Sequence, residues 1–303
     1  MGPGVARQCA MKTTAAECVL AARAVLGEGA CWFPLEQRLY WVDILRCEVH
    51  RFDPATGFDE FRETPSHVSM VQPTTRGDLV LATRDGIARM NFTSGAFQPL
   101  CDPEADLAGN RFNDGKVDPR GRLFAGSIAY DGSDKQANLW RIDPDLSFTK
   151  VIDCVGNSNG LGWSPDQRTF YWTDTKTGCV FAFDYEADSG DISSRRVAVE
   201  VDRTLGRPDG LAVDAEGFLW TALWGGYGVV RWNPANGQLV AKITCPVPCV
   251  TCPSFGGPDL DVLYFTTAQK GRAEMEPATE PEAGNVFAAS PGVKGLPGFR
   301  FAG

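Results

Sequence analysis

Residues 158–174 are "SNGLGWSPDQRTFYWTD", and residues 27–43 are "GEGACWFPLEQRLYWVD". Both stretches have a polar residue followed by Gly, then a Trp, a turn containing Pro, and an aromatic segment that ends in Asp. Asn159 and Glu28 each come 13 residues before the Trp of the aromatic segment, at Trp172 and Trp41. Such similarity between distant segments predicts that one supersecondary unit is repeated along the chain.

Shorter copies of this pattern occur at Asp114-Gly115, before "RLFAGS", and at Asp209-Gly210, before "FLWTAL". Strand-like segments recur with gaps of 40, 43, 47, 48 and 45 residues, at Trp41, Leu81, Phe124, Tyr171, Leu219 and Tyr264. Each is followed by a second alternating segment that ends in a turn, such as "EVHRFDPATG" or "GVVRWNPANG". Period-two alternation next to Asp-Pro or Asn-Pro and Gly predicts strands joined by tight turns.

A repeat of 40 to 48 residues made of short strands is typical of a β-propeller blade. The six copies predict an all-β, six-bladed β-propeller over residues 16–303, preceded by a disordered leader at residues 1–15. An irregular pair of β-sandwiches is the alternative. To close the ring, we expect "ECVLAARAV" (residues 17–25) to pair with the last blade near "GFRFAG" (residues 298–303), which leaves no open sheet edge.

The overall charge excludes several classes of partner. A net charge of −9 and an isoelectric point near 4.9 argue against nucleic acid and anionic membrane surfaces. No apolar run reaches the roughly 18 residues that a membrane helix needs, and residues 1–10 lack the apolar core of a secretory signal. We therefore expect a cytoplasmic protein, monomeric or weakly dimeric, whose partner is a small molecule.

The ten cysteines are scattered along the chain, which predicts reduced and mostly buried thiols. Cys249 and Cys252 form a lone CxxC, a weak signal for zinc or redox chemistry, with buried or rim thiols as the favoured interpretation. The only histidines are His50 and His67. This scarcity argues against Ser-His-Asp catalysis and against a zinc site built from histidines.

The repeated polar position predicts a metal site. Equivalent positions of the blades face the axis, and Glu28, Asp114, Asn159 and Asp209 all offer oxygen atoms there. Asp-Gly and Asn-Gly are also common turn signals, but four copies in the same phase favour a central ring. Ligation by oxygen alone suits one divalent ion, first Ca²⁺, with Mg²⁺, Mn²⁺ or Zn²⁺ as alternatives. So few protein ligands would leave open positions for water or substrate.

Arg111 and Asn113 come within three residues of Asp114 in "GNRFNDGKVD". Arg offers forked donors, and Asn offers both a donor and an acceptor. Beside a metal ion, this pair suits a polyhydroxylated substrate. An ion pair that braces the blade is the alternative for Arg111.

At these residues the chain resembles the regucalcin/gluconolactonase family of six-bladed propellers. The likeness runs from "LGEGACW" through "RFNDGKVDPRGRLFAGS", "SNGLGWSPD" and "RPDGLAVDAEGFLW" to "GVKGLPGFRFAG". The resemblance implies a hydrolase that opens sugar lactones with one bound divalent metal. It places the metal ligands at Glu28, Asn159 and Asp209, with Asp209 also the catalytic base.

The same resemblance implies substrate-binding roles for Arg111, Asn113 and Asp131. Animal members commonly have Glu where this chain has Asp131, which is one methylene shorter. The segment "TALWGGYG" is more similar to bacterial lactonases, and places Trp224 at the mouth of the site.

Three functions remain open at this point. Metal-dependent hydrolysis of a five- or six-membered aldonolactone is the leading hypothesis. A hydrolase acting at the same site on organophosphates, or on a nitrile by-product of luminescence, is the second. The third is calcium binding without catalysis.

Overall fold

The computed structural model describes residues 11–269 and 280–303, and these ranges contain 25 strands and no helix. The strands form six sheets, each built mainly from one continuous stretch of chain. Neighbouring sheets contact each other through their first strands, so the sheets form the six blades of a propeller. The predicted fold class is confirmed.

The blades follow the chain in order. Blades 1 to 3 consist of β3 (Gly27–Phe33), β4 (Arg38–Asp43), β5 (Glu48–Asp53) and β6 (Phe58–Glu63); β7 (Val68–Pro73), β8 (Leu79–Thr83), β9 (Gly86–Met90) and β10 (Phe97–Cys101); and β11 (Asn110–Val117), β12 (Leu123–Ala129), β13 (Ala137–Ile142) and β14 (Phe148–Val155).

Blades 4 to 6 consist of β15 (Ser158–Trp163), β16 (Thr169–Asp174), β17 (Cys179–Tyr185) and β18 (Ile192–Glu200); β19 (Arg207–Val213), β20 (Leu219–Trp224), β21 (Gly228–Asn233) and β22 (Gln238–Thr244); and β23 (Val250–Gly256), β24 (Val262–Thr267) and β25 (Val286–Ala289). The first two strands of the described residues, β1 (Lys12–Ala15) and β2 (Glu17–Leu20), join blades 5 and 6.

The predicted repeat matches the blades strand by strand. All six landmark residues, from Trp41 to Tyr264, lie in the second strand of a blade. The alternating segments that follow them form the third strands, such as β5 and β21. The first, innermost strand of each blade is almost entirely buried, as in β3 and β15.

The hydrophobic core consists of six clusters, one between each pair of neighbouring blades. The cluster between blades 6 and 1 includes Trp41, which is 1% exposed, and Trp32, which stacks on Tyr264 with ring centroids 5.6 Å apart. Burial of one such large side chain contributes about 1.5–3 kcal/mol. The ring is therefore held together mainly by packing between blades.

Ring closure differs in part from the prediction. The strand Glu17–Leu20 does complete blade 6, but it pairs with Val286–Ala289 and not with residues near 298–303. The C-terminal segment instead reaches blade 2, where Phe301 bridges Thr74 and is fully buried. The prediction that "GFRFAG" pairs with the N-terminal stretch is therefore wrong, because Phe301 packs between blades 2 and 3.

Part of the expected disordered leader, residues 12–15, forms a strand. Residues 1–10 lie outside the described residues, but β1 pairs in parallel with β22, with Lys12 opposite Ala241. Blade 5 thereby gains a fifth strand that the six-fold repeat could not indicate. No helix within the described ranges is long and apolar enough to cross a membrane.

Candidate active site

Each inner strand carries a β-bulge at the same place. The pairing with the second strand shifts once in each blade, between Glu28/Cys31, Val68/Met70, Phe112/Gly115, Asn159/Leu161, Pro208/Leu211 and Val250/Pro253. A bulge redirects the side chain at which it occurs. The recurring polar residue therefore lies at an irregularity of the inner strand, repeated around the axis.

The Gly after the polar residue allows the inner strands to approach one another closely. A Cβ at Gly160 would lie 2.7 Å from the carbonyl oxygen of Asp209, and a Cβ at Gly210 would lie 2.7 Å from that of Thr251. These distances are too short for any side chain. The Asn-Gly and Asp-Gly pairs are thus strand features rather than turns, and Gly sets the spacing between blades.

One end of the axis holds a cavity of about 300 Å³. Five predicted site residues line it together, although they come from four blades: Glu28, Arg111, Asn113, Asn159 and Asp209. Its walls also include apolar side chains, among them Leu26, Ile44, Ile128 and Trp224. Trp224, expected at the mouth of the site, is among the residues that line this cavity.

Hydrogen bonds hold the amide side chains of the pocket in place. Asn113 Nδ2 donates to Asn159 Oδ1 and to the carbonyl oxygen of Ser158, both at 2.8 Å. Asn159 Nδ2 donates to Thr175 Oγ1 at 2.8 Å, and Thr175 donates to the carbonyl oxygen of Pro208 at 2.7 Å. Blades 3, 4 and 5 are joined at the pocket by this chain of contacts.

Arg111 is oriented within blade 3 and faces the acidic side of the pocket. Its Nη1 donates to Asn113 Oδ1 at 2.7 Å and to the carbonyl oxygen of Phe112 at 2.8 Å. Burial lowers the pKa of Arg111, while Tyr130, Glu28 and Asp209 act in the opposite direction. The guanidinium therefore lies close enough to interact electrostatically with the carboxyl groups of both Glu28 and Asp209.

The two carboxylates of the pocket are buried close together. Burial, and next the neighbouring Asp114, raise the pKa of Glu28 to about 8. Burial, and then Glu28 and Asp114, raise the pKa of Asp209 well above its usual value. Asp209 Oδ1 is buried and makes no hydrogen bond within the described part of the chain. An unpartnered oxygen and repelling carboxylates are what a bound cation would compensate.

The donor set consists of two carboxylates and one amide oxygen, from Glu28, Asp209 and Asn159. Among the described residues, no group of three or more His, Cys, Asp or Glu side chains is arranged to hold a metal ion. The set fits a hard divalent cation that takes carbonyl and carboxylate oxygens and keeps some water. It does not fit a zinc site of the Cys or His type.

Asp131 does not line the pocket. It lies in the exposed turn after β12, where its Oδ1 accepts a hydrogen bond from the backbone N–H of Ser133 at 2.8 Å. Its neighbour Tyr130 meets Arg111 instead, with the guanidinium carbon 5.9 Å from the ring centroid. A direct substrate contact by Asp131 would require this turn to move.

Asp114 lies in the same ring of polar residues but does not line the pocket. It is 5% exposed, and its Oδ1 accepts a hydrogen bond from the backbone N–H of Gly115 at 2.7 Å. Burial raises the pKa of Asp114, and the neighbouring Lys116 lowers it. Asp114 therefore acts on the pocket electrostatically, as an acidic neighbour that raises the pKa values of Glu28 and Asp209.

The cysteines follow the sequence interpretation only in part. Cys31, Cys245, Cys249 and Cys252 are buried, but Cys18 and Cys154 are exposed, and none of the nine within the described ranges is in a disulfide. Cys249 and Cys252 belong to different inter-blade clusters. The two thiols of the CxxC therefore pack in separate parts of the core.

Sequence reasoning missed three polar residues of the pocket: Asn157, Thr175 and Arg207. Arg207 could have been found, because it lies two residues before Asp209 and so tends to share its side of the strand. Asn157 likewise precedes Asn159 by two positions. Thr175 follows β16, and only the folded structure brings it to Asn159.

Six blades around an axis, with oxygen donors from several inner strands meeting at one end, define a β-propeller with a polar site at its hub. A family model described as "SMP-30/Gluconolactonase/LRE-like region" matches residues 26–269. The chain belongs to this family. The predicted resemblance is confirmed.

Individual relatives agree with this assignment. A Bacillus subtilis protein named "Putative sugar lactone lactonase YvrE" is 37% identical over 281 residues, covering 93% of this chain and 96% of that one. Regucalcin of Gallus gallus is 36% identical over 299 residues, covering 97% and 100%. A crystal structure of a regucalcin from Agrobacterium tumefaciens, described as a calcium-binding protein, superposes with a TM-score of 0.91 at 27% identity, covering 96% and 98%.

Proposed function

We propose that this protein hydrolyses a sugar lactone to the corresponding sugar acid at the axial pocket. One observation carries the proposal. Carboxylate and amide oxygens from three blades meet in a cavity that the donors Arg111 and Asn113 also line. The relative named as a sugar lactone lactonase supports the same substrate class.

Glu28, Asn159 and Asp209 would hold one divalent cation, for which Ca²⁺ is the first candidate and Zn²⁺, Mn²⁺ and Mg²⁺ are alternatives. When bound, such an ion polarises a carbonyl group and lowers the pKa of water. Asn113 contributes by fixing the Asn159 amide, since its Nδ2 donates to Asn159 Oδ1 at 2.8 Å. Thr175 fixes the other side of the same amide.

Asp209 is proposed as the catalytic base. Its carboxylate would accept a proton from the water that attacks the lactone carbonyl carbon, and would return it to the ring oxygen as the C–O bond breaks. One lactone and one water are thus converted to one hydroxy acid. Asp209 is 5% exposed, so the attacking water would be held at a position that is largely shielded from bulk solvent.

Arg111 and Asn113 are proposed to position the sugar. Arg111 uses Nη1 for Asn113 and Phe112, which leaves further guanidinium donors for hydroxyl or ring oxygens. Leu26, Ile44 and Trp224 would pack against the carbon face of the ring. The mixed walls suit a polyhydroxylated ring better than a fully apolar substrate.

The test is a substrate panel on metal-stripped protein, with each divalent ion added back. Gluconolactone, xylonolactone and a phosphotriester would be compared by titrating released acid. We expect turnover of the lactones only with an added ion, and turnover of the phosphotriester at least about tenfold lower. Equal lactone turnover without any divalent ion would contradict the proposal.

Arg111→Lys tests the positioning role. Lysine keeps the charge but loses the forked donors, so the lactone KM should rise by about tenfold. Arg120→Lys is the matched control, because Arg120 is an exposed residue of the same blade that pairs with Asp188 at 2.9 Å. Comparable KM changes in both variants would contradict the proposed role of Arg111 in positioning the substrate.

Calcium binding without catalysis is the remaining alternative, favoured by the description of the solved Agrobacterium regucalcin. Calorimetric titration with Ca²⁺ separates the two functions. Tight Ca²⁺ binding together with no turnover of any lactone would support the binding function and contradict the enzymatic one.

A further inference from the structure

A second cavity, of about 100 Å³, lies on the same axis. All six inner strands line it, and in the four that also line the active-site pocket the contributing residues lie further along the strand. Blade 1 contributes Cys31 instead of Glu28, and blade 3 contributes Lys116 instead of Arg111. Since side chains along a strand advance by about 3.3 Å per residue, this cavity lies at the opposite end of the channel.

The C-terminal segment forms part of the wall, with residues 296–299 lining the cavity. This segment is attached on both sides. The backbone N–H of Gly295 donates to the carbonyl oxygen of Leu260 at 2.7 Å, and that of Phe301 donates to the carbonyl oxygen of Pro73 at 2.9 Å. The cavity is therefore enclosed jointly by the inner strands and by a C-terminal segment that is hydrogen-bonded at both ends.

Gln72 lines this cavity with an unused polar group. The residue is 5% exposed, and its carboxamide makes no hydrogen bond to any part of the chain that the structure describes. Its amide atoms are not among the fully buried unpaired atoms of the described residues, so they face the open space of the cavity. The amide is thus available to an occupant of the cavity.

Lys116 is the one charged side chain among the residues that line the cavity. Its Nζ donates to the carbonyl oxygen of Leu211 at 2.8 Å, which leaves two of its three protons free. Ser254 Oγ accepts from the backbone N–H of Trp32 at 3.0 Å, so its own proton is also free. The polar groups that line the cavity are therefore mainly donors, and the one charged group among them, Lys116, has the buried Asp114 as an acidic neighbour.

The other walls are mostly apolar and include Val117, Phe255 and Phe299, together with the indoles of Trp32 and Trp163, whose N–H groups make no hydrogen bond within the described residues. A sugar acid would leave most of its hydroxyl groups facing these walls without partners. Water could form hydrogen bonds with Gln72 but would make no favourable contact with the apolar walls. The best match is a molecule with one anionic end and a short apolar body. By comparison with a dry cavity of about 150 Å³ that accepts benzene, four to six heavy atoms, roughly, would fit.

We propose that this cavity is a second binding site, for a small carboxylate with an apolar body, held by Gln72 and Lys116. The site is separate from the proposed active site, because the two cavities share no lining residue. The proposal of a second binding site does not depend on whether the protein hydrolyses lactones.

Butyrate is the probe, with butyramide as its uncharged counterpart. Binding to the full-length protein would be followed by ligand-observed NMR and calorimetry. We expect saturable binding of butyrate, at least about tenfold weaker binding of butyramide, and at least about tenfold weaker butyrate binding by Gln72→Leu and by Lys116→Met. Arg111→Met should bind butyrate as the wild type does, because Arg111 is the donor that would hold a carboxylate in the active-site pocket.

Gln72→Leu also separates a binding role from a structural one. Because no hydrogen bond is lost, the variant should be at least as stable as the wild type and should keep its lactonase turnover. A marked loss of stability would show that the amide is structural and would overturn the proposal. So would unaltered butyrate binding by Gln72→Leu, no binding at about 10 mM butyrate, or a crystal structure grown with butyrate that shows only water on Gln72.

Discussion

At the scale of the residue, Asp209 combines a proposed function with a cost in stability. Its carboxylate is buried near Glu28 and Asp114, and Oδ1 has no hydrogen-bond partner in the described chain. Such a group is unfavourable in a metal-free protein, because like charges repel in a dehydrated site. Functional sites commonly tolerate this kind of local instability.

Asp209→Asn should therefore have opposite effects on stability and on activity. In the metal-free protein we expect the free energy of unfolding to rise by about 1 kcal/mol, because one repelling charge is removed while the side-chain size is kept. Lactone kcat/KM should fall by about a thousandfold. Urea unfolding in EDTA and a lactone assay with added Ca²⁺ measure the two effects.

Ser69→Ala is the control for this variant, since Ser69 occupies the corresponding inner-strand position in blade 2 and is uncharged. It should not stabilise the metal-free protein. If Asp209→Asn retained near-normal turnover, the catalytic and metal-binding roles of Asp209 would both be wrong.

At the scale of the element, the Asp that ends the second strand holds the start of the inner strand. In blade 1, Asp43 Oδ2 accepts from the backbone N–H of Val25 at 2.8 Å, and Oδ1 accepts from that of Leu26 at 3.2 Å. In blade 4, Asp174 accepts in the same way from Gly156 and Asn157. These contacts lie two and three residues before a proposed metal ligand, Glu28 or Asn159.

Asp43→Asn should consequently weaken metal binding without removing a ligand. The amide turns one acceptor into a donor that faces backbone N–H groups, so Glu28 loses its fixed position. We expect about tenfold weaker Ca²⁺ binding by calorimetry, the range typical of residues that orient metal ligands.

Asp214→Asn is the matched control for Asp43→Asn. Asp214 is also fully buried and also accepts backbone N–H groups, from Glu216 and Phe218, but it lies beyond the other end of an inner strand. This variant should lower stability and leave Ca²⁺ affinity unchanged. Equal losses of affinity in both variants would mean that Asp43 acts only through overall stability.

Glycine spacing between the inner strands gives a second prediction at this scale. Gly210→Ala would place a Cβ 2.7 Å from Thr251 O and 2.8 Å from Cys252 Cα, both of them backbone atoms. We expect the free energy of unfolding to fall by about 3 kcal/mol, because neighbouring inner strands must separate. Gly109→Ala is the control, since nothing lies within 4 Å of its added Cβ. Similar stabilities of the two variants in urea would contradict the close-packing explanation.

At the scale of the whole molecule, the N-terminal strands close the ring. β2 covers the outer edge of β25 in blade 6, and β1 extends blade 5 through parallel pairing with β22. The C-terminal segment makes a separate connection to blades 2 and 3 through Phe301 and Ala302. Both chain ends thus tie together blades that are distant in sequence.

Deletion of residues 1–20 should open blade 6 and leave β25 as an exposed edge. We expect a lower melting temperature, by about 2–4 °C for each kcal/mol lost, and concentration-dependent aggregation through the unpaired edge. Deletion of residues 1–11 keeps both strands and is the control. Differential scanning calorimetry and light scattering report the two effects, and equal behaviour of both truncations would show that β2 does not stabilise the closed ring.

The sequence by itself determined the architecture and most of the candidate site. Local patterns were enough because each blade is built from one continuous stretch, and because polar-Gly pairs mark the same bulge in Glu28, Asp114, Asn159 and Asp209. Arg111 and Asn113 were found for the same reason, since they lie on the strand that carries Asp114.

Only the tertiary structure decided which of these residues share a pocket. It separated Asp114 and Asp131 from the lining residues, brought Thr175 to Asn159, and paired Glu17–Leu20 with Val286–Ala289. Gln72 and Lys116 likewise meet only at the far end of the axis. These contacts join segments tens to hundreds of residues apart, and the packing of blades around a common axis selects them, which a local pattern cannot encode.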